Sequence, residues 1–330
     1  MNTLLVVLAL VQAEAGTPLE IGRTYHIASR TLGETRVIDV SLPQSYGDDT
    51  TRRYPVLVVL DGDYDHQIAA AIAQFYAGTA QIPELIVVGV RNTNRSRDMT
   101  PPLLPDFPLP PEISEAGGAE SFLGFIGDEL LPYIDRRYRT APLRVLVGHS
   151  LAGLFAAYAI GHRPELFTGY ILMEPSLWWN RGHEVDQAKV MLREPRARHT
   201  RVMMVNVESW GLDTTQWGSA APMIRELSAS GETHSSMPIT GMTKGLRTLF
   251  ADFKPVNGSE ASPVQSPSNL DGDNLPANAP EHWRFLIARH GRAVNAFFAD
   301  GSTRRVPLEE MYLLTWKAGW NKYRLQLPRF

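Results

Sequence analysis

The stretch Leu143-Arg-Val-Leu-Val-Gly-His-Ser-Leu-Ala-Gly-Leu-Phe-Ala-Ala-Tyr158 decides the fold. It begins with a short apolar run, and from Leu154 onward its apolar residues fall at helical spacing. Between the two parts, Ser150 stands at the apex of a turn that Gly148 opens. A strand, a tight turn and a helix with serine at the apex form the arrangement in which that hydroxyl is exposed for nucleophilic attack.

The motif that this stretch approaches is G-x-S-x-G, whose glycines let strand and helix lie close together. Ala152 occupies the last small-residue position here, so the close approach has to accommodate one extra methyl group. An ordinary strand, glycine turn and helix would give the same short pattern. The remainder of the chain has to decide between these two interpretations.

Length, charge and composition restrict the class of protein. The 330 residues are 44% hydrophobic, which is enough for one large α/β domain with or without an appendage. The net charge of −3 lacks the basic excess typical of nucleic-acid binding. The absence of cysteine excludes disulfides, thiolate nucleophiles and cysteine metal sites, and no apolar run is long enough for stable membrane insertion.

The N-terminus has the pattern of an export signal. Residues 4–11 are all apolar, and Ala13-Glu14-Ala15 provides small residues at a cleavage-site spacing, although no Lys or Arg precedes the run. We therefore predict a signal peptide over residues 1–15 and a periplasmic or secreted protein, with the cytoplasm as the alternative.

Apolar runs that end at turn residues predict buried strands, and the segments between several of them have helical patterns. Strands are predicted at residues 35–42, 55–60, 84–90, 143–147, 167–173 and 202–207, and helices at 66–78, 120–138, 217–229 and 240–252. This alternation predicts a mostly parallel central sheet flanked by helices.

Residues 91–118 contain six prolines and cannot form a regular helix or a central strand. A long irregular loop within a compact domain is typical of a lid or a binding wall. Arg95 and Arg97 are its candidates for attracting an anionic substrate, and pairing with Asp98 and Asp106 is the alternative.

The composition changes after the main domain, which we assign to residues 16–254. Residues 255–280 are rich in Ser, Asn, Asp, Pro and Gly and are predicted to be a linker. Residues 281–330 are apolar again and form a small C-terminal module of unknown role. Within it, Asp300-Gly301 between two apolar runs predicts a hairpin.

Acyl transfer on a serine requires a base and a carboxylate that orients the base. In an α/β-hydrolase layout both follow the serine, in the order serine, acid, histidine. His234, in a loop 84 residues after Ser150, is the preferred base, and His183 is the second choice. Glu208 directly follows a predicted strand and is the preferred acid.

Two other carboxylates remain open for the acid role. Asp213 is near Glu208 in sequence, and Glu174 ends the preceding strand. The oxyanion requires backbone donors, which we assign to the N–H of Leu151 and to the Asp61-Gly62-Asp63 turn, where Gly62 permits close approach of the backbone to the ester.

Six stretches occur in order across residues 23–254. They are Tyr54-Pro-Val-Leu-Val-Val-Leu-Asp-Gly-Asp-Tyr64, Ile82-Pro-Glu-Leu-Ile-Val-Val-Gly-Val90, Asn92-Thr-Asn-Arg-Ser-Arg-Asp-Met-Thr-Pro101, Gly148-His-Ser-Leu-Ala-Gly153, Pro175-Ser-Leu-Trp-Trp179 and Glu232-Thr-His-Ser-Ser236. Together they resemble the putative-esterase branch of the α/β-hydrolase superfamily, which includes the bacterial trilactone-siderophore esterases.

The resemblance implies an α/β-hydrolase fold with Ser150 as nucleophile, His234 as base, and Gly62 and Leu151 as oxyanion donors. It implies Glu208 only weakly, because some members of the family manage with a serine–histidine pair. The chain departs from the family pattern at Ala152 and at Ser235, where glycine is usual, and both changes tighten the site. The tail after residue 255 has no counterpart in the family.

The expected activity is hydrolysis of a small-molecule carboxylic ester through an acyl-enzyme, without a metal or an organic cofactor. Trp178, Trp179 and the arginines of the proline-rich loop indicate an aromatic or anionic substrate, such as a siderophore lactone or an aromatic acyl ester, although the tryptophans also fit core packing. The alternatives are an acyltransferase on the same site and a non-catalytic binding protein on a hydrolase scaffold. The sequence does not indicate an oligomeric state.

Overall fold

The computed structural model describes residues 20–111, 113–207 and 224–253, and the backbone of two further strands at 293–297 and 303–307. The predicted signal peptide at residues 1–15 and the predicted linker at residues 255–280 lie outside the described residues. Glu208 and Asp213 also lie outside them.

Eight strands form one sheet with the order β1-β2-β4-β3-β5-β6-β7-β8. The strands are β1 (Arg23–Ala28), β2 (Thr35–Ser41), β3 (Tyr54–Val59), β4 (Ile86–Val90), β5 (Thr140–His149), β6 (Gly169–Met173), β7 (Arg201–Asn206) and β8 (Ile224–Ser228). β1 and β2 pair antiparallel, as do β2 and β4, whereas every pair from β4 to β8 is parallel. This mostly parallel sheet is the α/β-hydrolase fold predicted from the sequence.

Helices lie between several of the parallel strands, and one more helix follows β8. They are α1 (Gly62–Gly78), α2 (Arg95–Met99), α3 (Ala119–Gly124), α4 (Leu131–Arg137), α5 (Leu151–His162), α6 (His183–Leu192) and α7 (Met237–Leu249). A π-helical segment, Phe125–Leu130, joins α3 to α4, so the predicted helix over residues 120–138 is nearly continuous. No helix in the described ranges is long and apolar enough to cross a membrane.

Two hydrophobic layers cover the sheet. Along β3, Val56 and Val58 belong to the cluster that contains α3–α5, whereas Leu57 and Val59 belong to the cluster that contains α1 and α7. Alternate residues of a strand point to opposite faces, so a continuous apolar run is required wherever both faces are buried. This requirement explains why the apolar runs of the sequence predict the central strands.

The predicted helix over residues 217–229 is wrong at its described end, because Ile224–Ser228 form the edge strand β8 beside β7. This segment has two apolar residues three positions apart, with Arg and Glu between them, which is also a helical pattern. Pairing with β7 therefore overrides the local preference.

The C-terminal region contains the hairpin predicted around Asp300-Gly301. β9 (Ala293–Phe297) pairs antiparallel with β10 (Thr303–Pro307) as a separate two-stranded sheet. The five residues between the strands, which include Asp300 and Gly301, lie outside the described residues.

Candidate active site

Ser150 occupies a sharp turn between β5 and α5, with φ 59° and ψ −117°. Residues other than glycine rarely adopt a positive φ, so this backbone conformation is strained and is typical of a functional position. A Cβ at Gly148 would overlap the carbonyl oxygen of Ala152, and a Cβ at Gly153 would lie 2.8 Å from the Cβ of Pro175. The turn therefore requires these two glycines, whereas the side chain of Ala152 fits within the buried core.

Three neighbouring strands end in the same unusual way. Asp61 follows β3 with φ 55°, Ser150 follows β5 with φ 59°, and Glu174 follows β6 with φ 42°. β3, β5 and β6 are adjacent in the sheet, so these three residues lie side by side at its carboxyl edge. Ligands of open parallel sheets bind at this edge.

His234 lies in the loop between β8 and α7 and meets two residues of this edge. Its ring centroid is 4.5 Å from that of His149, and its Nδ1 is 3.6 Å from Oε2 of Glu174. Burial, and then the nearby charge of His234, lower the pKa of His149 to about 4, so His149 is neutral near pH 7. His149 thus packs beside His234 without adding a positive charge.

Ser176 is a neighbour of the candidate nucleophile that sequence reasoning did not identify. Its Oγ is 3.4 Å from Oγ of Ser150, and its backbone N–H donates to the carbonyl oxygen of Ser150 at 3.0 Å. The stretch Pro175-Ser-Leu-Trp-Trp179 contains this serine, but its proximity follows only from the adjacency of β5 and β6.

Ser150 opens into a cleft of about 640 Å³. Its walls come from the proline-rich loop, the start of α5 and the segment after β6. The lining residues are Thr93, Asn94, Arg95, Ser96, Ile113, Ser114, Ser150, Leu151, Ser176 and Trp178. The proline-rich loop therefore forms one wall, as the sequence predicts.

The candidate oxyanion donors, Gly62 and Leu151, are the first residues of α1 and α5. The first N–H groups of a helix have no partner within the helix and carry its partial positive charge. A Cβ at Gly62 would lie 2.8 Å from the carbonyl carbon of Gly89 and from the nitrogen of Val90. Glycine is therefore required where α1 begins against β4.

Arg95 connects the ends of β3 and β5. Its Nε and Nη2 donate to Oδ1 and Oδ2 of Asp61 at 2.6 and 2.8 Å, and its Nη2 also donates to the carbonyl oxygen of His149 at 3.3 Å. A guanidinium that binds a carboxylate at two points fixes geometry as well as charge. Arg95 lines the cleft, but its charge is already paired with Asp61.

Arg97 points to a different network. It donates to Glu34 at 2.7 Å and to Asp98 at 2.7 Å, and Asp98 also binds the buried Arg36. Arg97 is not among the residues that line the cleft. The pairing with Asp98, which the sequence leaves as the alternative for these arginines, is the arrangement observed for Arg97.

The two tryptophans have different environments. Trp178 is 47% exposed and lines the cleft, with its ring stacked on that of Phe107 at a centroid distance of 6.4 Å. Trp179 is fully buried, and its Nε1 donates to the carbonyl oxygen of Pro101 at 3.2 Å. Trp179 thus packs under the proline-rich loop, and Trp178 faces the cleft.

The three other predicted candidates are His183, Glu208 and Asp213. His183 is the first residue of α6 and contacts Gln187. Glu208 and Asp213 are not described, so the sequence prediction of Glu208 as the acid stays a prediction. In the described ranges, no group of three or more His, Asp or Glu side chains could hold a metal ion.

Comparison with known proteins adds family information to this geometry. A model of the esterase family, described as putative esterase, matches residues 29–236. The siderophore triacetylfusarinine C esterase of Aspergillus fumigatus is 30% identical over 204 residues, which are 56% of this chain and 67% of the relative. The ferri-bacillibactin esterase BesA of Bacillus subtilis is 32% identical over 170 residues, which are 47% of this chain and 58% of the relative.

Solved structures share the fold. An IroE-like serine hydrolase from Shewanella oneidensis superposes with a TM-score of 0.61 and 28% identity, and the match covers 77% of this chain and 85% of that protein. The siderophore hydrolase EstA from Aspergillus nidulans has a TM-score of 0.60, with 21% identity and coverage of 73% and 100%.

Proposed function

The chain belongs to the esterase family of the α/β-hydrolase fold and is an esterase, and from this premise we propose that it cleaves carboxylic esters through an acyl-enzyme on Ser150. One observation carries the proposal. Ser150 has a strained, positive-φ backbone at the carboxyl edge of the sheet, and it opens into the 640 Å³ cleft. A core serine in an ordinary turn would have neither feature.

In the proposed reaction, Oγ of Ser150 attacks the ester carbonyl while His234 takes the hydroxyl proton. The carbon–oxygen bond to the alcohol then breaks, and His234 returns the proton to the departing alcohol. Water attacks the acyl-serine, His234 accepts one of its protons and returns it to Oγ of Ser150, and the carboxylic acid leaves. The enzyme regains its starting state.

We assign stabilisation of the tetrahedral oxyanion to the backbone N–H groups of Gly62 and Leu151. Both belong to the first residue of a helix whose positive end faces the carboxyl edge of the sheet. Donors held in place by folding stabilise developing charge without having to reorganise during the reaction. Glu208, which follows β7, is the acid that chain order predicts.

The proposed substrate class is a siderophore-type or aromatic acyl ester. The two curated relatives are named as esterases of siderophores, and the chain spans 67% and 58% of their lengths. The half-exposed Trp178 offers an aromatic face at the cleft, and the cleft volume is in the range of small-molecule sites. If residues 1–15 act as a signal peptide, the substrate is met in the periplasm or outside the cell.

The test is hydrolysis of a short aryl ester, a trilactone siderophore and a feruloyl ester by wild type, Ser150→Ala and His234→Gln. We expect Ser150→Ala to lose nearly all turnover and His234→Gln to lose on the order of a thousandfold or more. Ser114→Ala, a second serine of the same cleft, is the matched control and keeps wild-type rates. Turnover that survives Ser150→Ala would refute the proposal.

Two further measurements separate the alternatives. Fluorophosphonate labelling with peptide mapping marks Ser150 in a hydrolase or an acyltransferase, and leaves a non-catalytic binding protein unlabelled. Adding an acceptor alcohol to the aryl-ester assay yields mainly free acid for a hydrolase and mainly the new ester for an acyltransferase.

A further inference from the structure

Glu174 has a backbone conformation that its residue type disfavours. It follows β6 with φ 42°, in the left-handed region, and its N–H donates to the carbonyl oxygen of Val205 at 2.9 Å. Glycine would adopt this conformation without strain. A glutamate in this position indicates that the carboxylate side chain has a role there.

The side chain of Glu174 is only 2% exposed, and its two oxygens have different neighbours. Oε1 accepts the backbone N–H of Val207, just past the end of β7, and Oε2 lies 3.6 Å from Nδ1 of His234. The first contact fixes the carboxylate to the sheet. The second directs its free oxygen at the imidazole.

Because Glu174 is buried, the group that its free oxygen faces decides how its charge is compensated. A buried carboxylate is unfavourable unless hydrogen bonds or an opposite charge compensate for its lost hydration. Among the described residues, His234 is the only side chain that can form an ion pair with Glu174, and it does so only when it is protonated. The neighbouring His149 is neutral near pH 7, so the positive charge that forms beside Glu174 during catalysis is that of His234.

We propose that Glu174 is the positioning residue of His234 in the reaction proposed above, on which this inference rests. Its carboxylate holds the proton on Nδ1, so Nε2 remains free to accept the proton of Ser150. When His234 becomes charged, the Glu174 carboxylate stabilises the imidazolium. The distance of 3.6 Å shortens as that charge develops, because catalytic hydrogen bonds are often long before substrate binds.

This assignment differs from the one that chain order predicts. Glu208 follows β7, whereas Glu174 follows β6, the strand adjacent to the one that carries Ser150. The carboxylate of Glu174 therefore reaches the imidazole from the strand next to the nucleophile. Its tie to Val207 holds it in place from the β7 side.

The experiment compares Glu174→Gln, Glu174→Asp and Glu208→Gln for kcat, KM and the rate of fluorophosphonate labelling. We expect Glu174→Gln to reduce both kcat and the labelling rate by roughly 10²–10⁴-fold with little change in KM, because the amide keeps the shape but not the charge. Glu174→Asp restores part of both rates. The expected loss in Glu208→Gln is below tenfold.

A loss below tenfold in folded Glu174→Gln overturns the inference. Full loss in Ser150→Ala and His234→Gln would still support the proposed function in that case, whereas turnover in Ser150→Ala would refute the proposed function itself. Glu184→Gln is the matched control. It neutralises another buried carboxylate, on α6, and is expected to leave kcat unchanged.

A double variant keeps the inference testable even if Glu174→Gln lowers stability. In a His234→Gln background, Glu174→Gln should reduce the residual rate by less than threefold, because a positioning residue has no effect once its target is absent. An additional loss similar to that in the wild-type background would mean that Glu174 acts on folding or on Ser150 directly, and the inference would be wrong.

Discussion

The two ends of the parallel strands are built differently. At the carboxyl edge, Asp61, Ser150 and Glu174 all have positive φ, and two of them are buried carboxylates, one paired with Arg95 and the other facing His234. At the amino edge, where β3 and β5 begin, tyrosine rings pack against one another and against arginines. The aromatic cluster comprises Tyr25, Tyr46, Tyr54, Tyr133 and Tyr138.

The aromatic cluster satisfies its polar groups locally. The hydroxyl of Tyr138 donates to that of Tyr25 at 2.8 Å, and the guanidinium of Arg139 lies 3.8 Å from the ring centroid of Tyr46. Such contacts stabilise a folded structure without backbone strain. Positive-φ residues that follow strands thus occur together with buried carboxylates at the carboxyl edge, whereas the aromatic cluster contributes stability at the amino edge. If this division is correct, substitutions at the carboxyl edge lower kcat, whereas substitutions at the amino edge lower stability.

The largest difference in kcat is expected between alanine substitutions of Gly62 and Gly169. In Gly62→Ala the new Cβ would lie 2.8 Å from backbone atoms of Gly89 and Val90, so the start of α1 has to move. We expect kcat to fall on the order of 10²–10³-fold, as when one oxyanion donor is lost, because the N–H of residue 62 moves from its position. Steady-state kinetics on an aryl ester measures this effect.

Gly169→Ala is the matched variant at the amino edge. Its Cβ would lie 2.8 Å from Cδ2 of Leu249, which is the same distance as at Gly62 but to the end of a side chain rather than to backbone, at the start of β6. We expect lower stability in urea unfolding with kcat unchanged. Equal losses of kcat in the two variants would remove the distinction between the edges.

The next effect concerns Arg95. If Arg95 holds Asp61 and the end of β5 in place, Arg95→Gln lowers kcat about 10–100-fold on neutral and anionic esters alike, with little change in KM. If Arg95 instead binds anionic substrates, as the sequence suggests, only the KM of an anionic ester rises. Arg91→Gln is the control, because Arg91 pairs with Asp39 and does not line the cleft.

The strands and the carboxyl edge also illustrate how much the sequence alone could predict. The apolar runs predicted six of the eight strands, and the sequence pattern around Ser150 predicted its strand, sharp turn and helix, because both depend on local pattern. The positions of Arg95 and Glu174 could not be predicted in the same way. They follow from strand order and from positive φ values, neither of which is encoded by neighbouring residues alone.

Predictions from the sequence were least successful where a pattern fits two structures. The segment that forms β8 has helical spacing and three helix-favouring residues, and only its pairing with β7 makes it a strand. Trp178 and Trp179 are adjacent and chemically identical, but one faces the cleft and the other is buried. Tertiary contacts decide both cases.

A smaller effect is expected from Tyr138→Phe at the amino edge. The variant removes the hydrogen bond between the Tyr138 and Tyr25 hydroxyls and leaves both rings packed. We expect the free energy of unfolding to fall by about 1 kcal/mol, with kcat and KM unchanged. Urea unfolding and aryl-ester kinetics on the same preparation test this, and a kcat loss above threefold would contradict the division between the edges.

The last expected effect is a pH dependence of stability at the carboxyl edge. Burial raises the pKa of Asp65 from 3.8 to about 7, and the nearby Asp61 carboxylate acts in the same direction. Between about pH 4 and pH 7 the unfolded chain has lost this proton and the folded chain retains it, so the free energy of unfolding falls as pH rises. Asp65→Asn removes this contribution, and we expect it to stabilise the protein by roughly 1–2 kcal/mol more at pH 8 than at pH 5. Asp186→Asn, an exposed carboxylate on α6, should show no such difference in urea unfolding, and an equal effect of Asp65→Asn at both pH values would show that the folded site accepts the charge.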